Sequence, residues 1–149
     1  MSEQASKPAE SRARYRHFQR IATRWSDNDI YGHVNNVVYY SYFDTVVNTY
    51  LIEKGALDIA NSTVIGLAVE SLCTFKKEIT YPESIDAGMR VGRLGNTSVR
   101  YEIGIFRAGE DDPAATGYFV HVYVDRASRK PVALPEALRR ALAPLVLAP

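Results

Sequence analysis

The chain has 149 residues, a formal charge of +1 and 46% hydrophobic residues. That length and balance suit a single globular domain, and they exclude a disordered chain or a strongly basic nucleic-acid-binding protein. The single cysteine, Cys73, rules out an internal disulfide and an all-cysteine metal cluster, and it fits a reducing compartment.

Residues 1–14 are polar and rich in Ala and Ser, with no apolar stretch of signal-peptide length, and no segment is apolar enough for a membrane span. A cytoplasmic location follows as the expectation. Arg12, Arg14 and Arg16, interleaved with Tyr15 and His17, would also suit a nucleic-acid arm. The preferred reading is a disordered leader over 1–14 that runs into the first strand, a domain over 15–142 and a C-terminal tail over 143–149.

The first strand is expected over about 16–25. A polar loop follows, and then the clearest element, a helix over about 36–54. From Tyr39, the residues Tyr42, Phe43, Val46, Val47, Tyr50 and Leu51 fall at spacings of 3, 4, 7, 8, 11 and 12, which is one wide apolar stripe. Ser41, Asp44, Thr45, Asn48 and Glu53 lie largely off it, and Gly55 stands where a left-handed C-terminal residue is wanted. A strand is expected over about 63–77. The period then becomes two: Ile85, Ala87, Met89 and Val91 alternate with Asp86, Arg90 and Gly92, and Val99, Tyr101, Ile103 and Ile105 alternate with Ser98, Arg100, Glu102 and Gly104. Gly95-Asn96 between these two strands predicts an antiparallel hairpin. A last strand is expected over about 116–125, and Pro135-Glu136 opens a short helix. Strand, long helix and four strands give an α+β domain, one antiparallel sheet with a helix laid across it. Its open edge strands predict a homodimer or homotetramer.

The densest polar cluster, Trp25-Ser26-Asp27-Asn28-Asp29-Ile30-Tyr31-Gly32-His33-Val34-Asn35-Asn36, joins the first strand to the long helix. Composition alone makes it a loop of turn formers and helix caps. Its position gives it a second use, because a helix N-terminus presents unpaired N–H groups and a positive dipole end to a developing oxyanion.

The pattern Asp27-x-Asp29-x-x-Gly32-His33-Val34-Asn35-Asn36-x-x-Tyr39 resembles the signature of hotdog-fold thioesterases of the 4-hydroxybenzoyl-CoA thioesterase type. Glu70-Ser71 with Phe75, and the stretch from Val91 to Val99, are similar to later segments of that family, so the resemblance spans about 16–135. It implies a five-stranded antiparallel sheet wrapped around one long helix. It also implies an acyl-CoA thioesterase that releases free acid and CoA, with coenzyme A part of the substrate and no separate cofactor or metal. Asp29 would be the nucleophile or the general base. Aspartate is a weak base near neutral pH unless its surroundings change that, so direct attack stays open. Asn36 lies at the position that holds the oxyanion in the family, and Gly32 would let the loop approach the thioester closely.

His33 carries either an orienting or a chemical role, and this segment also resembles plant acyl-ACP thioesterases, in which a histidine here takes part. Asp27 is expected as a turn or cap residue and Asn35 as a helix cap. Tyr39, Glu70 and Ser71 join Gly32 as expected substrate-binding residues. For Tyr39 the rival reading is core, and for Glu70 it is a strand residue paired with an arginine. Lys76, Lys77, Arg126, Arg129 and Lys130 are candidates for the phosphates of coenzyme A.

The chain lacks a Gly-x-Ser-x-Gly elbow, a phosphate loop and a Gly-x-Gly-x-x-Gly turn. His17, His33 and His121 are isolated from one another in sequence, so no metal site is assigned. Two alternatives stay open: a hotdog hydratase that uses Asp29 with His33, and a noncatalytic acyl-CoA-binding module.

Overall fold

A computed structural model of the chain describes residues 10–147. Strand β1 (His17–Ala22) leads through a short 3-10 turn (Trp25–Asp27) and the polar loop into helix α1 (Val38–Glu53). Strands β2 (Val64–Phe75), β3 (Ser84–Leu94), β4 (Ser98–Arg107) and β5 (Ala115–Asp125) follow, and then helix α2 (Glu136–Leu142). The strands form one antiparallel sheet in the order β1-β3-β4-β5-β2. This is the hotdog arrangement, an α+β fold.

The apolar stripe of α1 makes the core. Its buried residues are Tyr39, Tyr42, Phe43, Val46, Val47, Tyr50 and Leu51, the seven that the spacing picks out. They pack on the inward alternation of the sheet, Ile85, Ala87, Met89 and Val91 from β3 with Val99, Tyr101, Ile103 and Ile105 from β4. Gly55 ends the helix at φ 73°, a left-handed conformation that glycine adopts without a Cβ clash. The helix begins two residues later than expected. Its N-cap is Val37, without a side-chain cap, and the expected cap Asn35 instead closes the preceding turn, taking the N–H of Val37 on its side chain (3.1 Å) and that of Val38 on its carbonyl (2.9 Å).

The expected boundaries shift at both ends. Residues 1–9 lie outside the described residues, but 10–14 are docked on the domain. Arg12 pairs with Asp86 (3.0 Å) and donates to the carbonyls of Glu110 (2.6 Å) and Arg107 (3.1 Å). This explains why Asp86, on the polar half of the β3 alternation, is buried: the N-terminal segment covers that face, and Arg20 adds a second ion pair at 2.9 Å. At the other end, 143–147 is part of the packing. Leu145 is buried, and Val146 forms a parallel bridge with Val91. Residues 148–149 lie outside the described residues.

Candidate active site

The loop before α1 is folded on itself. Asn28 and Val34 form an isolated antiparallel bridge. Between them the Asp29 N–H reaches the His33 carbonyl (2.9 Å), and the Gly32 N–H reaches the Asp29 carbonyl (3.0 Å). Gly32 closes this turn at φ 83°, where any other residue would be strained. One carboxylate oxygen of Asp29 accepts the Tyr31 N–H at 2.9 Å. Its other oxygen has no hydrogen-bond partner among the described residues.

Asp29, His33, Asn36 and Tyr39 share one cavity of about 600 Å³, walled on the far side by Phe75, Lys76, Lys77 and Glu78. The loop is held to that wall by the Val34 N–H, which donates to the Ile79 carbonyl at 2.7 Å. Asn36 is exposed, and neither its N–H nor its side-chain amide has a partner among the described residues. A carboxylate oxygen and an unpaired donor pair at the start of a helix therefore open on the same space. Such an arrangement can deliver a nucleophile or activate water on one side of a carbonyl while stabilising its oxygen on the other.

The remaining predicted residues divide. Gly32 lines a neighbouring cavity with Trp25, Ile30 and Thr80, and Asp29 stands on the wall common to both. Tyr39 is both core and cavity wall. It is buried against Tyr42 and Phe75, and burial pushes its hydroxyl up to about 12, so it stays protonated. His33 does not meet Asp29 side chain to side chain, and its Nε2 lies 3.1 Å from a Glu78 carboxylate oxygen. Glu78 carried no sequence signal, because only the loop contact at Ile79 brings it there.

Glu70 and Ser71 are not in this cavity. Both are exposed on β2 beside a bulge between Ala68 and Glu70. The partner of Glu70 is not an arginine directly but the Tyr118 hydroxyl (2.5 Å), over whose ring the Arg100 guanidinium sits at 3.8 Å. Asp27 is structural: it is buried, with Arg24 and Tyr42 on its two oxygens. Cys73 faces away from nucleophilic chemistry, since burial pushes its thiol up to about 11.

Among the cationic candidates, Lys76 and Lys77 stand at the cavity. Lys77 is tied to Glu110 at 3.0 Å, whereas Lys76 has no ion pair among the described residues. Arg126 is spent on the carbonyls of Ile59, Ala60 and Ser62, which places it elsewhere. No group of three or more His, Cys, Asp or Glu side chains is placed to hold a metal among the described residues.

The family described as the thioesterase-like superfamily matches residues 23–142. The PA5185 protein of Pseudomonas aeruginosa strain PAO1 has a solved structure that is 55% identical, covering 95% of this chain and 99% of that one, with a TM-score of 0.91. BH1999 gentisyl-coenzyme A thioesterase shares the fold at 20% identity over 85% of this chain and all of its own, with a TM-score of 0.75. The uncharacterized protein YsmA of Bacillus subtilis (strain 168) is 27% identical over 116 residues, 77% of each chain.

Proposed function

Because the chain belongs to the thioesterase-like superfamily, we propose that it hydrolyses the thioester bond of an acyl-CoA, releasing the free acid and coenzyme A. The observation that carries this reading is the shared cavity of Asp29 and the unpaired donors of Asn36. The free oxygen of Asp29 takes a proton from water as the water oxygen attacks the thioester carbon, or it attacks that carbon itself and the resulting anhydride is hydrolysed. In both routes the carbonyl oxygen becomes an oxyanion facing Asn36, the C–S bond breaks, and the coenzyme A thiolate leaves and takes up a proton. Lys76 at the rim suits a phosphate of the coenzyme. Coenzyme A is here part of the substrate, and the reaction calls for no separate cofactor.

The pairing of His33 with Glu78 rather than with Asp29 favours hydrolysis over a hydratase, which would use an Asp and His together. The experiment is thiol release from acyl-CoAs ranging from acetyl to palmitoyl, with benzoyl and phenylacetyl forms. Turnover of at least one supports the reading, and saturable binding without thiol release from any would turn it into the noncatalytic module.

The assembly belongs to the same proposal. Among the described residues, β2 pairs with β5 on one side and has no strand on its other edge, with Val69, Leu72 and Phe75 exposed along it. An open edge with apolar residues suits the same edge of a second copy, related by a two-fold axis. Light scattering at micromolar concentration should give at least twice the chain mass. Val69→Lys, which places like charges near the axis, should shift the protein toward monomer. A wild-type monomer would refute the assembly.

A further inference from the structure

A second cavity, of about 210 Å³, lies at the other end of α1, between Asp44, Asn48 and Leu51 of the helix and the paired strands β2 and β5. No residue that lines this space also lines the cavity of Asp29, so the two are separate. Leu57, Ile65 and Leu138 make much of the second cavity apolar.

Its polar side chains are those of Asp44, Asn48, Tyr123 and His121. His121 is 7% exposed as a residue and lines the cavity, and its side chain has no hydrogen bond or ion pair among the described residues. The ring is fixed by stacking on Phe119 (5.5 Å) and by an edge contact with Tyr101 (5.2 Å). Gly66 keeps its Nδ1 open, since a Cβ there would come within 3.2 Å of that nitrogen. Burial holds the imidazole below its ordinary pKa despite the nearby Asp44, so at neutral pH it is uncharged and offers one donor and one acceptor. Its ring nitrogens are not sealed off from solvent, so they face open space in a cavity whose volume is far above the roughly 10–15 Å³ that one water needs.

We propose that this cavity binds a small, largely apolar group carrying one hydroxyl, with His121 as the polar contact and Asp44 and Asn48 on the facing wall. A hydroxyl matches a neutral imidazole because it both donates and accepts. A carboxylate would be repelled by Asp44, and a plain hydrocarbon would leave His121 unpaired. Binding here does not depend on the thioesterase reading and survives its failure.

The test uses protein labelled with 15N-histidine, titrated with 4-methylphenol and, separately, with toluene. The ring signals of His121 should move saturably with 4-methylphenol, those of His33 should not, and toluene should bind about tenfold more weakly. His121→Phe keeps a ring in place while removing both nitrogens, and it should abolish the preference between the two. Equal affinities in the wild type, or His121 signals that stay still while 4-methylphenol saturates another site, would overturn the proposal. So would the absence of any saturable change up to the solubility limit. The wild-type titration decides the matter even if His121→Phe fails to fold.

Discussion

Asp29→Asn is expected to slow thiol release by about 10²–10⁴-fold, the range lost with a positioned acid–base group, while leaving the thermal midpoint within a few degrees of wild type. The amide keeps an oxygen for the Tyr31 N–H, so the local turn survives. What disappears is the free carboxylate oxygen, and with it both routes of attack. The loop's backbone bonds, Asp29 N–H to the His33 carbonyl and Gly32 N–H to the Asp29 carbonyl, involve no side chain and stay in place. KM should change little, because the carboxylate is asked to act on the reacting carbon rather than to bind the coenzyme. Activity within a few-fold of wild type on a substrate that turns over well would remove Asp29 from the mechanism and leave the fold untouched. Single-turnover hydrolysis in 18O-labelled water tests the anhydride route. If water opens the anhydride at the aspartyl carbon, solvent oxygen stays in Asp29 and the acid carries an oxygen from Asp29, whereas direct attack by water places solvent oxygen only in the acid product.

Those elements whose side chains repeat with a simple period were legible in the sequence. The stripe on α1 and the alternation on β3 and β4 answer to one burial plane each, and both occur as expected. The Asp29 loop was legible for a different reason: its resemblance to a known signature placed Asp29, His33, Asn36 and Tyr39, and the structure brings these four to one cavity. Long-range contacts were not legible. Arg12 reaches Asp86 and Glu110, and nothing local in 10–14 announces that docking. Glu78 pairs with His33 only because the chain after β2 turns back on the loop at Ile79. Glu70 and Ser71 show the limit of a resemblance read residue by residue. They lie on an edge strand away from Asp29 of the same chain, and only an assembly of copies would give them a place at such a site. His121 drew attention only as a possible metal ligand, since sequence cannot show that its ring borders a cavity.

Asp27→Ala should cost about 3 kcal/mol of stability, because it orphans groups that have no other partner. The Asp27 side chain is about 1% exposed. One of its oxygens accepts Arg24 Nε (2.9 Å), with a second guanidinium nitrogen at 2.7 Å, and the other accepts the Arg24 N–H and the Tyr42 hydroxyl, both at 2.9 Å. The exposed Arg24 side chain can return to water and contributes little, whereas the buried Tyr42 hydroxyl cannot. Tyr42 belongs to α1 and Arg24 to the end of the β1 segment, so this carboxylate clamps both sides of the loop that presents Asp29. Burial by itself would raise the pKa of Asp27, but the hydrogen bonds from Arg24 and Tyr42 outweigh it and hold the carboxyl below its ordinary value. A group whose folded pKa is depressed stabilises the protein above its unfolded pKa, about 3.9, and that contribution is lost as pH falls through the folded value. Urea unfolding at pH 7 should therefore show a large gap between wild type and Asp27→Ala, and the gap should narrow below about pH 4. A gap that stays constant down to pH 3 would mean that packing, not the buried carboxylate, holds the loop in place.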